Sequence, residues 1–96
     1  EGGIVMGLGT ALTEEYRIEE GIPQTRRWVD YKVPLIGDMP EMEIQIIEHP
    51  TSDGPYGAKG IGELPSIPTA PAVCNAIYNA VGMRVYRLPV PVGKVS

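Results

Sequence analysis

The sequence predicts an α+β piece made of two helices, short strands and glycine-rich loops. Three observations carry that reading. Apolar residues recur at helical spacing in two runs, one near each end. A central run alternates apolar and polar residues, the period of a half-buried strand. Ten prolines and twelve glycines among 96 residues keep every regular element short.

The first helix is expected from Gly3 to about Tyr16. Ile4, Val5, Leu8, Leu12 and Tyr16 fall on one side, and Thr10, Thr13, Glu14 and Arg17 largely on the other. Gly2, Gly3, Gly7 and Gly9 are costly there, roughly 1 kcal/mol each against Ala. Something must therefore pack very close to this helix, either a neighbouring helix or a cofactor. No strand precedes it here, so the glycines do not make a dinucleotide fingerprint.

Glu19-Glu20-Gly21 reads as a turn. Arg26 to Val33, with Trp28, Val29 and Tyr31, reads as extended and stops at Pro34. Leu35 to Pro40 is a loop. Met42, Ile44 and Ile46 alternate with Glu43 and Gln45 and read as a strand that His49-Pro50 ends. His49 is expected as a strand-end surface residue. Thr51 to Tyr56 is a turn-rich loop.

That loop leads into Gly57-Ala58-Lys59-Gly60-Ile61-Gly62-Glu63-Leu64-Pro65, the stretch around which the chain is organised. Three glycines in six residues leave bare backbone amides, and one carboxylate follows them. Either this is a piece of a catalytic site, or it is a tight turn followed by a solvated acid. A second helix starts near Thr69, a natural N-cap, with Pro71 tolerated in its first turn. Ala70, Val73, Ile77, Ala80 and Val81 share a face, and Gly82 is the stop. Cys74 within it reads as a small buried hydrophobe. Arg84 to Leu88 is expected as a short strand, and Pro89, Pro91 and Gly93 as a tail.

Ninety-six residues make one domain at most, with a modest core. An apolar run follows Glu1 at once, without an initiator Met or signal peptide, as expected of a chain cut from something longer. Net charge is −4 and no face concentrates Lys or Arg. Arg26-Arg27 beside Trp28 is too little for a nucleic-acid footprint. No apolar run approaches the roughly 20 residues of a membrane span. The single cysteine, Cys74, excludes an internal disulfide and fits a reducing compartment, so the cytoplasm is the expected location. One histidine and one cysteine far apart do not make a metal site from this chain alone.

Gly57-Ala58-Lys59-Gly60-Ile61-Gly62-Glu63 with Pro65, then Pro71-Ala72-Val73 and Asn75 to Gly82, resembles the C-terminal end of the molybdenum-binding subunit of the xanthine dehydrogenase and aldehyde oxidase family. Glu1-Gly2-Gly3 with Gly7-Leu8-Gly9 resembles that family's glycine-rich cofactor helix. Asp30 to Pro34, Asp38-Met39-Pro40 and Leu88-Pro89 agree as well. The resemblance covers nearly the whole chain in order, so residues 1–96 are expected as the C-terminal part of a molybdenum-cofactor-binding domain that is itself incomplete.

The resemblance implies a molybdenum hydroxylase, which inserts a water-derived hydroxyl into an N-heterocycle such as a purine, or into an aldehyde. It implies a molybdenum–molybdopterin cofactor, as the plain pterin or the cytosine dinucleotide, with iron–sulfur clusters and FAD on other domains or subunits. The implied partners are the remainder of the subunit, those redox subunits or domains and a small-molecule substrate, with neither nucleic acid nor membrane. Carried over residue by residue, Glu63 is the general base beside the metal. Lys59, Gly60, Ile61 and Gly62 supply backbone amides to the cofactor, and Gly7 and Gly9 are close-contact positions. No protein side chain of this chain is implied as a metal ligand, and the 96 residues alone are expected to be inactive.

One departure matters. The family commonly has Gln before the Gly-x-Gly of the first helix, where it hydrogen-bonds the pterin, and this chain has Met6. Met lacks the donors and acceptors of an amide. Either the pterin is held differently there, or the chain is a degenerate structural or assembly module that kept the fold.

Overall fold

The computed structural model describes residues 1–91 and 93. Helix α1 spans Gly2–Leu12 and helix α2 spans Thr69–Val81. Between them lies a two-stranded hairpin, β1 (Ile18–Glu19) and β2 (Ile22–Pro23). Three single turns of 3-10 helix sit at Ile36–Asp38, Pro55–Gly57 and Leu64–Ser66. Two helices and a small sheet make the expected α+β piece.

α1 is shorter than its apolar pattern. The amides of Thr13 and Glu14 both turn back to the Gly9 carbonyl, at 2.9 and 2.8 Å, which closes the helix. The Thr13 hydroxyl donates to the Lys32 carbonyl at 2.6 Å instead of prolonging the run. α2 ends as predicted: Gly82 adopts a left-handed φ of 72°, and its amide donates to the Tyr78 carbonyl. Its start is different. Pro68 occupies the cap, and Thr69 is the first helical residue, its hydroxyl donating back to the Pro65 carbonyl at 2.7 Å. Cys74 is half-buried, short of the full burial expected.

Two anticipated strands are not strands. Arg26 to Val33 closes on itself, because the Asp30 carboxylate accepts from the Arg27 amide and guanidinium, and the amides of Asp30 and Tyr31 return to the Arg27 carbonyl. Arg84 to Leu88 folds back on α2. The Arg84 guanidinium lies 3.5 Å over the Tyr78 ring and donates to Asn75. The third, around Met42 to Ile46, runs without pairing to any described strand.

The hairpin arises at the predicted turn. Ile18 pairs with Pro23 and Glu19 with Ile22, around Glu20 and Gly21 at φ of 49° and 78°. Positive φ at both central residues is the turn that matches strand twist, and Gly21 accepts it without strain. The expected tail is in part outside the described residues, beyond Pro91 except for Gly93. Its first portion docks: Val90 is buried and its amide donates to the Ala11 carbonyl at 2.8 Å.

Packing centres on the crossing of the two helices. Gly3 meets Pro65, and Gly7 meets Thr69 and the Ser66 carbonyl. Around that contact the core is thin. Ala11 and Val90 are the buried apolar side chains among the described residues. The radius of gyration is 16.8 Å, against about 12.5 Å for a compact domain of this length. The chain is thus an open frame, with apolar side chains such as Trp28, Ile36 and Ile47 at the surface.

Candidate active site

The glycine-rich stretch and the start of α1 are neighbours. Pro65 packs on Gly3, and the Gly62 carbonyl lies 3.4 Å from where a Cβ on Gly3 would stand. A cleft of about 560 Å³ opens there, lined by Glu1, Gly3 and Ile4 of the helix start, Ile61, Gly62 and Pro65 of the loop, and residues 43–47. α1 has no side-chain cap, and its first intrahelical donor is the Val5 amide, bonded to the Glu1 carbonyl. The amides of Gly2, Gly3 and Ile4 are therefore free at the helix start, where amides and dipole favour an anion.

A second cleft, of about 490 Å³, shares Ile46, Ile47 and Ile61 with the first and takes in His49, Tyr56, Lys59 and Gly60. The Lys59 ammonium stands 3.4 Å from His49 Nδ1, a contact joining residues ten apart in sequence. His49 is exposed at the end of its run, as expected. Its partnership with Lys59 left no trace in the sequence, since only the fold of the intervening loop brings the two together. Tyr56 in that loop has a φ of 54°.

Glu63 joins the two clefts along the chain. Gly62 before it lines the first, and Leu64 after it lines the second. Its backbone is anchored: the Glu63 carbonyl accepts from the Ser66 hydroxyl at 2.7 Å and the Ser66 amide at 3.1 Å. Its side chain is exposed, and among the described residues nothing donates to its carboxylate. The arrangement offers a fixed backbone carrying a free carboxylate.

Gly60 and Gly62 differ from the glycines of α1. A Cβ at either would meet nothing within 4 Å. The loop backbone is open to approach from outside this chain. At Gly7, by contrast, the space belongs to Thr69 and Ser66, and at Gly9 to Pro34 and the Glu14 carboxylate. Neither lines the first cleft. Of the two explanations the sequence offered for close packing on α1, a protein neighbour accounts for Gly7 and Gly9. Gly3, not singled out for cofactor contact, is the glycine that reaches the cleft. Met6 is well exposed, at 67%.

Backbone donors at this cleft suit the polar groups of a pterin cofactor, while the charged residues that line it, Glu1 and Glu43, are both acidic. Free amides at the helix start face a cleft shared with an unencumbered glycine loop, and a carboxylate follows that loop. Among the described residues no group of three or more His, Cys, Asp or Glu could hold a metal ion.

A family profile described as molybdopterin cofactor-binding domain matches residues 1–40, the part of the chain containing α1. The likeness it reports is to molybdopterin cofactor-binding domains, over fewer than half of the residues. An aldehyde oxidoreductase from Megalodesulfovibrio gigas is 42% identical over 89 residues, covering 92% of this chain and 10% of that protein. A xanthine dehydrogenase molybdenum-binding subunit from Escherichia coli O157:H7 is 39% identical over 90 residues, covering 92% of this chain and 12% of its own length. The gamma subunit of a 6-hydroxypseudooxynicotine dehydrogenase complex from Paenarthrobacter nicotinovorans is 41% identical over 93 residues, covering 93% of this chain and 12% of that protein. The chain belongs to the family of molybdenum-binding subunits of xanthine dehydrogenases and aldehyde oxidoreductases, and matches one segment of it. It spans about a tenth of the length of the curated relatives it matches.

Proposed function

We propose that this chain is the C-terminal part of the molybdenum-cofactor-binding domain of a hydroxylase that oxidises an aldehyde or an N-heterocycle with water as the oxygen source. The observation that carries the reading is the meeting of the α1 start with the glycine-rich loop across one cleft, with Glu63 next in the chain. The free amides of Gly2, Gly3 and Ile4 donate to polar groups of the cofactor. The backbone of Lys59 to Gly62 approaches its ring system, because Gly60 and Gly62 carry no side chain to keep it away. When bound, the cofactor supplies the two-electron redox step.

Glu63 then acts as the general base. Its carboxylate would take the proton from the water-derived nucleophile as the oxygen bonds to the electron-poor substrate carbon, and the hydrogen and electron pair of the broken C–H bond would pass to the cofactor; the base needs hydrogen-bond reach in the loaded site. The Ser66 hydroxyl and amide fix the Glu63 backbone and so the point from which its side chain departs. The rest of the subunit closes the site. Iron–sulfur and FAD domains or subunits carry the electrons away, and the assembly works in the cytoplasm. Relatives named as subunits support the presence of other subunits.

The second reading, a non-catalytic module of the same fold, is favoured by one observation. Met6 offers no amide group, and its side chain faces solvent in this chain. Purifying the native assembly and measuring molybdenum per mole together with turnover of aldehydes and N-heterocycles decides between them. The hydroxylase reading requires stoichiometric molybdenum and turnover of at least one class. An assembly free of metal and inert to both supports the structural module.

A further inference from the structure

Thr69 is the buried polar side chain among the described residues. It does not cap α2, and its two branches have different tasks. Its Cβ and Cγ2 methyl fill the space beside Gly7, where a Cβ on that glycine would come within 2.5 and 3.0 Å of them. Its hydroxyl donates to the Pro65 carbonyl at 2.7 Å. Among the described residues no turn or loop amide donates to that carbonyl.

The bond closes a short path to Glu63. Leu64–Ser66 is a single 3-10 turn that begins directly after Glu63. Within it the Ser66 hydroxyl and amide hold the Glu63 carbonyl, and the Ile67 amide donates to the Leu64 carbonyl at 3.3 Å. A lone turn of this kind has few bonds and poor geometry, so it needs an outside anchor. Pro65, its middle residue, has two: it packs on Gly3 and it accepts from Thr69. Threonine suits the position because a β-branched side chain is stiff at χ1. Valine would fill the space beside Gly7 without making the bond. Serine would make the bond without the methyl.

We infer that Thr69 is a positioning residue for the reaction. Its methyl, packed on α1, holds its hydroxyl on Pro65, and that bond fixes the turn from which the Glu63 carboxylate departs. The helix crossing is in this way coupled to the base. The inference rests on the reading of Glu63 as the general base.

Thr69→Val and Thr69→Ser in the intact assembly test it, with Glu63→Gln alongside. Molybdenum per mole, kcat and KM for a substrate of the parent, and residue-resolved hydrogen exchange are measured on each. In Thr69→Val the Ser66 and Ile67 amides should exchange about tenfold faster, the scale of one lost hydrogen bond, while amides from Asn75 to Val81 keep their parent rates. Its kcat should fall about tenfold, with KM and molybdenum content within about twofold of the parent, because a misplaced base slows the chemical step more than it weakens binding. Thr69→Ser should bring both exchange and kcat back to within about threefold of the parent. Parent behaviour of Thr69→Val overturns the inference. So does faster exchange spread evenly through α2, which marks a purely structural residue, and so does a serine variant as impaired as the valine one. Near-parent turnover of Glu63→Gln removes the base reading and the inference with it. Loss of turnover in Glu63→Gln beside an unaffected Thr69→Val removes the inference alone.

Discussion

A Cβ placed on Gly7 would come within 2.5 Å of the Thr69 Cβ. The two helices cross at that point because one of them carries no side chain there. The same face brings Gly3 against Pro65, and so draws the glycine-rich loop to the start of α1. Gly3 and Gly7 thus have a structural cause, and the crossing they permit builds the cleft.

Gly7→Ala tests that contact. Alanine favours a helix by roughly 1 kcal/mol over glycine. Against this, the atom it meets is bonded directly to the α2 backbone and cannot swing away. Overpacking of this kind costs about 1–3 kcal/mol, so a net loss is expected. Hydrogen exchange in α1 of the intact assembly should quicken, and unchanged exchange would contradict the packing account.

Gly62→Ala separates cofactor contact from folding. Nothing in this chain lies within 4 Å of the added methyl group, and the Gly62 φ is not left-handed. Exchange and thermal unfolding should stay as in the parent. Molybdenum content should fall several-fold, because the methyl group intrudes on the cofactor's approach. Full loading of the variant would remove Gly62 from the contact surface.

The Tyr31 hydroxyl donates to Glu14 at 2.6 Å and ties the connecting segment to the end of α1. That bond, then partial burial and the Glu14 charge, raise the phenol above its ordinary value of 10.0. A raised folded-state value means that the contribution is complete below the unfolded value and is lost as pH climbs through the higher one. Tyr31→Phe should therefore loosen residues 27–33 at neutral pH. The difference from the parent should vanish in strong alkali, as followed by exchange or limited proteolysis.

The acid side behaves in the opposite sense. Hydrogen bonds from the Arg27 guanidinium, helped by its charge, hold Asp30 below the ordinary carboxylate value of 3.8. Its contribution to the turn is present above that value and is lost as pH falls through the lowered one. Asp30→Asn should open the turn at neutral pH and make it insensitive to acid. Proteolytic cleavage near Trp28, 84% exposed, is the readout.

What the sequence disclosed follows from how local each signal was. The Gly82 stop and the Glu20-Gly21 turn depend on single backbone angles that few residues accept, and both were legible. The helix pattern continued past Leu12 because Tyr16 keeps the period. The Thr13 and Glu14 amides close the helix on the Gly9 carbonyl, and the Thr13 hydroxyl holds the chain to Lys32, nineteen residues away; periodicity registers neither. The turn at Arg27 to Asp30, in which the Asp30 carboxylate bonds back to the Arg27 amide and guanidinium, was hidden by the apolar Trp28 and Val29. The bare backbone of the loop was legible from its glycines, whereas the role given to Glu63 came from the family resemblance and not from composition. Their meeting with Gly3, and the Lys59–His49 pair, depend on long-range folding alone.

The central claim is the role of Glu63, and Glu63→Gln in the loaded assembly tests it most directly. The substitution keeps the shape of the side chain and removes its basicity. Turnover and molybdenum per mole should be measured on the same preparation. The account predicts a rate lower by about a hundred- to ten-thousandfold, with molybdenum still stoichiometric. Turnover near that of the parent, at full metal loading, would contradict it.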